Sequence, residues 1–306
     1  MSPFSANRIA VLLALTLACV AALPLAVVAV AQRSFATPDA AVTALMDAVK
    51  SGNQKALLDI LGPDAKSLVF SGDPVADRNA AQRFSADYDR AHHLQGGGGK
   101  VVLYVGQDDF PFPIPLVPDG VVWRFDTPAG KDEILNRRIG KNELNAIQVC
   151  LAYVDAQRDY YSEDRNADGV REYATRFTSS PGKRDGLFWP TKAGEKPSPL
   201  GPLVAAARAE GYGKGQRNVP YHGYYYRILT AQGPDAHDGA HDYMAHGRMI
   251  GGFALVAFPA EWGVSGVMTF IVNHEGVVYE KDLGPTTATI ARNMQSFDPD
   301  SSWKKL

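Results

Sequence analysis

Hydrophobic positions along this chain predict helices first and β-strands afterwards. Thr37 can cap a helix, because its hydroxyl can accept a hydrogen bond from the free N–H groups of the first turn. The apolar residues that follow recur at the helical spacing of about 3.6 residues: Val42, Leu45, Met46 and Val49. Asn53 can begin a second, shorter helix, and a third helical pattern contains Phe84 and Tyr88.

Three short apolar runs follow these helices, and each predicts a strand. They cover residues 101–105, 121–125 and, as a third candidate, 133–139. Helices followed by a curved antiparallel sheet indicate an α+β fold. The opening Thr-Pro-Asp-Ala-Ala-Val, with a Ser-Gly-Asn step after the helix, resembles the small α+β domains of the nuclear-transport-factor-2-like and cystatin-like kind. This resemblance implies an N-terminal domain over residues 32–140.

A second unit begins with a long helix that Asn142 can cap. The expected apolar face of this helix consists of Leu144, Ile147, Cys150, Leu151, Val154 and Tyr161. A short helix near 202–210 follows, and then come four candidate strands: 221–229, 252–258, 268–273 and 277–281. A hairpin turn at 273–276 joins the last two strands. A long helix on an antiparallel sheet resembles the globular head of type IV pilin-like proteins. We therefore expect a C-terminal pilin-like α+β domain over 141–306, although no prepilin cleavage motif precedes the helix.

The first 31 residues have the pattern of a secretory signal peptide. One basic residue, Arg8, precedes an apolar run from Ile9 to Leu23, and Ala29-Val30-Ala31 offers the small residues of a cleavage site. A retained membrane anchor is the alternative, because the apolar segment is long enough to span a bilayer. Pro24 and the cleavage site favour removal after Ala31. We expect a periplasmic or secreted protein with no stable membrane span after cleavage.

The composition is that of a globular protein and excludes several classes. Of the 306 residues, 45% are hydrophobic and 21% charged, which rules out a disordered chain and a multi-span membrane protein. The net charge of -2 gives no basic excess for nucleic acid, so we expect no nucleic-acid partner. Two cysteines cannot build a disulfide framework, and Cys150, in a helical pattern, is expected to be a small buried hydrophobe.

Several unusual strings in the second half of the chain occur in a fixed order. They are YSEDRNADGVREYA at 161–174, PGKRDGLFWP at 181–190, SPLGPLV at 198–204, PYHGYYYRIL at 220–229, GFALVAFP at 252–259 and GVMTFIVNHEGVVYEKDLG at 266–284. Together with the Phe-Asp-Pro-Asp…Trp ending, they resemble the exported bacterial domain-of-unknown-function 2950 family. The resemblance spans nearly the whole chain after the signal peptide. It implies an envelope location and supplies no catalytic residues.

One acidic loop has the pattern of a cation site. Asp164, Asn166 and Asp168 offer oxygen atoms at alternate positions, a glycine follows at the sixth position, and Glu172 falls at the ninth. Position twelve is Thr175, where an EF-hand has a bidentate glutamate. The alternative is an Asx-rich turn that leaves the long helix. We predict a candidate calcium site on Asp164, Asn166, Asp168 and Glu172, and no other cofactor.

Two further patterns are candidates for binding. Tyr225 and Arg227 fall on one face of the predicted strand 221–229, and this face could stack a sugar ring or contact a partner. His237, His241 and His246 could bind a transition metal. The chain has no His-Glu-x-x-His motif, however, and the glycines around the histidines favour a solvated loop.

These patterns contain no catalytic constellation, so we assign no catalytic or cofactor-binding residue and lean towards a protein that is not an enzyme. The favoured interpretation is an exported bacterial envelope protein that binds an envelope protein or glycan, or stabilises an assembly. One alternative is a metal-assisted hydrolase of envelope material that uses the aspartate loop or the histidines. The other alternative is a pilin-like secretion or surface component.

Overall fold

The computed structural model of the protein describes residues 32–213 and 219–306. The predicted signal peptide, 1–31, lies outside the described residues. Within them the chain folds into helices and mainly antiparallel sheets, which confirms the predicted α+β class. None of the helices in this described part has the length and apolar character that crossing a membrane requires.

Seven α-helices lie within the described residues: α1 (Pro38–Ser51), α2 (Gln54–Leu61), α3 (Lys66–Val69), α4 (Pro74–Arg90), α5 (Thr127–Tyr161), α6 (Gly201–Ala209) and α7 (Thr287–Asn293). The predicted caps of α1 and α2 are confirmed. The Thr37 hydroxyl accepts a 3.1 Å hydrogen bond from the N–H of Ala40, and the Asn53 side-chain oxygen accepts one of 3.0 Å from the N–H of Ala56. Each cap satisfies an N–H group that has no partner within its own helix.

The first sheet is built from five strands: β1 (His92–Gly97), β2 (Lys100–Val105), β3 (Phe110–Pro111), β4 (Leu116–Asp119) and β5 (Val122–Phe125). The strand order is β1-β2-β4-β5, β3 pairs with β2, and every pairing is antiparallel. The predicted strands at 101–105 and 121–125 are thereby confirmed. The sheet and the first helices enclose a core that includes Leu45, Ile60, Leu103, Leu116 and Phe125.

Ten further strands lie in the described residues of the second half: β6 (Tyr224–Leu229), β7 (Ala231–Gln232), β8 (His241–Asp242), β9 (Met244–Ala245), β10 (Arg248–Met249), β11 (Ala254–Pro259), β12 (Met268–Asn273), β13 (Val278–Asp282), β14 (Ser296–Phe297) and β15 (Lys304–Lys305). The main sheet is antiparallel, with the order β15-β13-β12-β11-β6. The predicted hairpin turn joins β12 to β13, where the N–H of Gly276 donates to the carbonyl of Asn273 at 2.9 Å. Helix α5 packs on β12, and α7 packs on β11.

The long helix α5 begins earlier than predicted. It starts at Thr127, so the predicted strand at 133–139 is wrong and these residues are helical. Pro128 occupies the first turn, where its missing N–H costs no hydrogen bond. Asn142 is therefore not a cap but a buried residue in the middle of the helix, and its side-chain NH₂ donates to the carbonyl of Ser265 at 2.9 Å.

The predicted apolar face of α5 is correct in part. Cys150 and Val154 are buried, and the expected role of Cys150 as a small buried hydrophobe is confirmed. Leu144, by contrast, is 67% exposed and Leu151 is 37% exposed. The helix is rotated from the expected orientation because it buries Tyr153, whose hydroxyl donates to the carbonyl of Ala254 in β11.

Helix α5 contributes to both halves of the fold. Near its start, Gly130 lies against the backbone of Pro113, and Ile134 packs on the first core. Further along, Cys150 and Tyr153 belong to the second core. The predicted domain boundary at 140 falls inside this helix, and the division into an N-terminal and a C-terminal domain stays a prediction. The narrower resemblances to nuclear-transport-factor-2-like, cystatin-like and pilin-like domains also stay predictions.

Candidate functional site

A groove of about 1260 Å³ runs along the first half of the fold. It is lined by residues of α1 to α5, by the segment 110–114 and, at one end, by Glu210, Tyr212 and His222. Helix α4 forms one side and has a single buried residue, Val75. Because α4 packs so sparsely, the space beside it remains open.

The walls of the groove are aliphatic and phenyl side chains that the core leaves half-buried. They include Leu57, Leu68, Phe84, Phe112 and Ile134. The rings of Phe84 and Phe112 lie 5.3 Å apart between centroids and tilt by 40°. These walls present apolar surface that water covers poorly, which is typical of a small-molecule site.

One face of α5 supplies the basic side of the groove. Ile134, Arg137, Arg138 and Lys141 line it, and their spacing of three, four and seven residues places them on the same helix face. Arg138 donates 2.6 Å hydrogen bonds to the carbonyls of Ser67 and Leu68. Burial lowers the pKa of Arg138, although nearby carboxylates oppose this shift.

An acidic side chain of α4 faces this basic row. Asp77 accepts a 3.1 Å hydrogen bond from the N–H of Ser71. Burial raises the pKa of Asp77, whereas the hydrogen bonds from Ser71 and the charge of Arg138 lower it. Asp77 and Arg138 therefore partly neutralise each other at the groove wall.

A buried carboxylate lies behind one end of the groove, where it is hydrogen-bonded to the lining residue Tyr212. Asp73 is fully buried, and its Oδ1 accepts hydrogen bonds of 3.1 and 3.0 Å from the N–H groups of Val75 and Ala76 at the start of α4. Its Oδ2 accepts 2.9 Å hydrogen bonds from the hydroxyl of Tyr212 and from the N–H of Gly223. Asp73 thus caps α4 and connects this helix, through hydrogen bonds, to Tyr212 and to the residue that precedes β6.

His222 lies beside this carboxylate in a strained backbone conformation, with a φ of 51°. The ring Nε2 of His222 is 3.4 Å from Oε2 of Glu210, and the backbone N–H of His222 donates to the Tyr212 hydroxyl at 3.3 Å. Burial lowers the pKa of His222, the charges of Glu210 and Asp73 oppose that shift, and the charge of Lys141 adds to it. Perturbed titratable groups at the end of a large cleft are typical of a functional site.

The sequence reasoning missed both the groove and this cluster. Two local signals were present. Asp73-Pro74 has the form of an N-cap followed by a first-turn proline, and His222-Gly223 is a dipeptide that suits a tight turn. Neither signal indicates that the two segments meet.

The chain as described matches a known protein family over nearly its whole length. A family model described as "Protein of unknown function (DUF2950)" matches residues 32–306. The chain belongs to the DUF2950 family. No curated protein matches it, and neither does any solved structure. The family that the ordered strings of the second half predicted is thereby confirmed.

In this DUF2950 protein the predicted calcium loop forms a tight turn. Asp164 accepts hydrogen bonds from the N–H groups of Gly169 and Asp168, at 2.8 and 3.4 Å. Asp168 forms an ion pair with Arg248, with contacts of 2.9 and 2.6 Å. The side chains of Asn166 and Glu172 lie 3.5 Å apart. The loop brings the four predicted residues near one another but engages two carboxylates in other contacts, and calcium binding stays a prediction.

The strand face predicted to bind a ligand is largely used by the fold of this DUF2950 protein. Arg227 donates to the carbonyl of Ala291 at 2.8 Å and to that of Met294, so it satisfies groups at the end of α7. Tyr225 is half-buried, with its ring 5.7 Å from that of Phe258. A ligand or partner on this face stays a prediction.

The three histidines of the predicted metal cluster have separate contacts. His237 lies 2.9 Å from Glu275, His241 lies 3.3 Å from the carbonyl of Gly251, and His246 occupies an exposed turn. Across residues 32–213 and 219–306, His, Cys, Asp and Glu side chains form no group of three or more that could hold a metal ion.

Proposed function

We propose that this protein is an exported bacterial envelope protein that holds an apolar ligand in the groove and does not catalyse a reaction on it. The observation that carries the proposal is the groove of about 1260 Å³ with its aliphatic and phenyl walls. Ordinary small-molecule pockets have volumes of roughly 300–1,000 Å³. This groove is larger, so it suits an extended ligand.

The wall chemistry favours an alkyl chain over the glycan considered from the sequence. Leu57, Leu68 and Phe84 are half-buried, and a chain that covers them removes apolar surface from water, which stabilises a complex by about 25 cal/mol per Å². A glycan hydroxyl buried against these three side chains would find no hydrogen-bond partner in them, at a cost of about 1–3 kcal/mol per hydroxyl. The proposed ligand is therefore an alkyl-chain molecule.

The polar groups at the groove end are engaged by the fold, which favours binding over catalysis. Asp73 accepts four hydrogen bonds, and one of them comes from the Tyr212 hydroxyl. Burial raises the pKa of Tyr212, and the charge of Asp73 adds to that shift. A tyrosine held protonated and committed to a buried carboxylate is a poor proton shuttle at neutral pH.

A dye-binding assay tests the groove. A neutral naphthylamine dye, whose emission rises in apolar surroundings, should bind the purified protein saturably. Leu57→Trp should weaken that binding about tenfold, since the indole fills the groove, and a tenfold loss corresponds to ~1.4 kcal/mol. Leu144→Trp is the matched control, because Leu144 is exposed and lies outside the groove. Equal binding by both variants would contradict the proposal.

The proposal of export has its own support and its own test. The family match begins at residue 32, directly after the predicted cleavage site at Ala31. The intact mass of protein released from the periplasm measures cleavage. A chain that begins at Gln32 supports export and cleavage, whereas a chain that retains Arg8 in the membrane fraction contradicts cleavage.

A further inference from the structure

The charge of the groove differs from the charge of the chain. Its lining contains six lysine and arginine side chains but only three carboxylates, those of Asp77, Asp89 and Glu210. The whole chain, in contrast, carries a net charge of -2. An excess of positive charge around an apolar groove favours ligands that combine a chain with an anionic group.

Most of the basic groups near the apolar walls already have partners. Lys50 pairs with Asp89 at 2.6 Å, and Arg137 pairs with Glu133. Arg138 donates to two backbone carbonyls, as described above. Lys141 and Arg83, by contrast, are exposed and make no hydrogen bond or ion pair with any residue in 32–213 or 219–306. Of these two, Lys141 is the one that shares a helix face with Ile134 of the apolar wall.

Lys141 also lies where the apolar walls give way to polar groups. It is seven residues beyond Ile134 on the same face of α5, so the two are about 10 Å apart along the helix axis. The groove residues nearest it in the sequence are Arg138 and Asn142, and its charge acts on His222 at the groove end. An ammonium group in this position can meet the polar end of a chain whose apolar part contacts Ile134.

We infer that Lys141 binds the anionic head group of a linear acyl chain, a fatty-acid carboxylate, whose alkyl part lies along the apolar walls of the groove. This inference rests on the proposed function, because it assumes that the groove holds an alkyl chain. The carboxylate forms an ion pair with the ammonium group, and the chain covers half-buried side chains such as Leu57 and Leu68.

Competition for the neutral naphthylamine dye tests the head-group contact with two probes of equal chain length. Palmitate carries a carboxylate and hexadecanol a neutral hydroxyl. The wild type should bind palmitate about fivefold more tightly, which corresponds to an exposed ion pair near the upper end of the usual range. Lys141→Gln should remove this preference and leave hexadecanol binding unchanged. Lys131→Gln, on the same helix but outside the groove lining, should keep it.

The outcomes separate the two proposals. A preference for palmitate that Lys141→Gln abolishes and Lys131→Gln retains supports the inference. If palmitate and hexadecanol compete equally in the wild type, or if the preference survives in Lys141→Gln, the inference is wrong while the groove proposal stands. If the dye does not bind, or if neither probe displaces it, both are wrong. High salt should reduce the palmitate preference only, since it screens exposed charges.

Discussion

The hydroxyl of Tyr212 donates a 2.9 Å hydrogen bond to Oδ2 of Asp73 and so joins two segments 139 positions apart in the chain. Because Asp73 is fully buried, loss of this donor leaves part of its hydrogen-bonding capacity unsatisfied. Tyr212→Phe should lower the free energy of unfolding by about 1.5–3 kcal/mol, measured by urea denaturation. Tyr104→Phe is the control, because the Tyr104 hydroxyl has no hydrogen bond to any described residue. Equal urea midpoints for the two variants would rule out this role.

His222 should make the stability of the protein depend on pH. Burial lowers its pKa, so the unfolded chain takes up a proton near pH ~6.5 while folded His222 does so only at lower pH. Its contribution to stability is therefore complete above that value and is lost as the pH falls towards the folded pKa. His222→Gln should show a smaller loss of unfolding free energy than the wild type between about pH 7.5 and 5.5. The exposed His246, changed to Gln, provides the comparison, and identical pH profiles for all three proteins would refute the prediction.

Two glycines of α5 should respond to alanine in opposite directions. A Cβ on Gly130 would lie 2.3 Å from the carbonyl oxygen of Pro113, whereas a Cβ on Gly140 would meet no atom within 4 Å. Gly130→Ala should therefore destabilise the protein by about 1–3 kcal/mol or more, because the backbone of another segment must move. Gly140→Ala should stabilise it by about 0.5–1 kcal/mol through helix propensity. Thermal unfolding of both variants measures the contrast, and a shift in the same direction would contradict the described start of α5.

Cys150 should be inert in the folded protein. It is fully buried, and burial raises the pKa of its thiol to about 12, so the reactive thiolate is scarce at neutral pH. Iodoacetamide at about pH 8 should leave the native protein unmodified and should alkylate it after unfolding in urea. The same measurement counts thiols in the exported chain, because Cys19 lies within the predicted signal peptide. Rapid alkylation of the native protein would show that Cys150 is accessible.

Calcium binding to the predicted loop would have to disrupt an existing ion pair, and this can be tested. Calcium must compete with Arg248 for Asp168, since the guanidinium contacts both carboxylate oxygens. If the loop binds calcium, the ion should raise the melting temperature of the wild type but not that of Asp168→Ala, because binding to the folded state alone stabilises it. An equal rise in both proteins would place the effect elsewhere. Asn166→Ala offers a second test that leaves the ion pair intact.

The parts of the fold that could be predicted are those with local causes. Thr37 and Asn53 cap helices through hydrogen bonds to residues three positions away, so the sequence alone contains the necessary information. The start of α5 was missed for the opposite reason. Gly130 and Gly140 lower intrinsic helix propensity, and the segment 133–139 is too short for its apolar residues, such as Ile134 and Ile139, to distinguish a helix from a strand. Packing favours the helix here, where Gly130 lies so close to Pro113 that an added Cβ would come within 2.3 Å of its carbonyl oxygen.

The candidate site depends on contacts that no local pattern contains. Asp73 and Gly223 meet across 150 positions, and the groove walls come from five helices and one extended segment. The sequence instead predicted sites at the Asp164 loop and at the Tyr225 strand face. The side chains of both are largely engaged in structural contacts. The residues that line the groove are ordinary hydrophobic residues, and they acquire a role only through the space that α4 leaves beside them.

Through helix α5, the proposed ligand should stabilise both cores of the described residues. Its early turns touch the groove at Ile134, and its later turns place Tyr153 in the core beneath β11 and β12. A ligand that binds only the folded protein stabilises it in proportion to the logarithm of ligand concentration over Kd. Because α5 contributes side chains to both cores, we expect the two cores to unfold together, and this added free energy then extends to a sheet that the ligand does not contact. Saturating ligand should then protect the amides of β12 from hydrogen exchange as strongly as those of the groove.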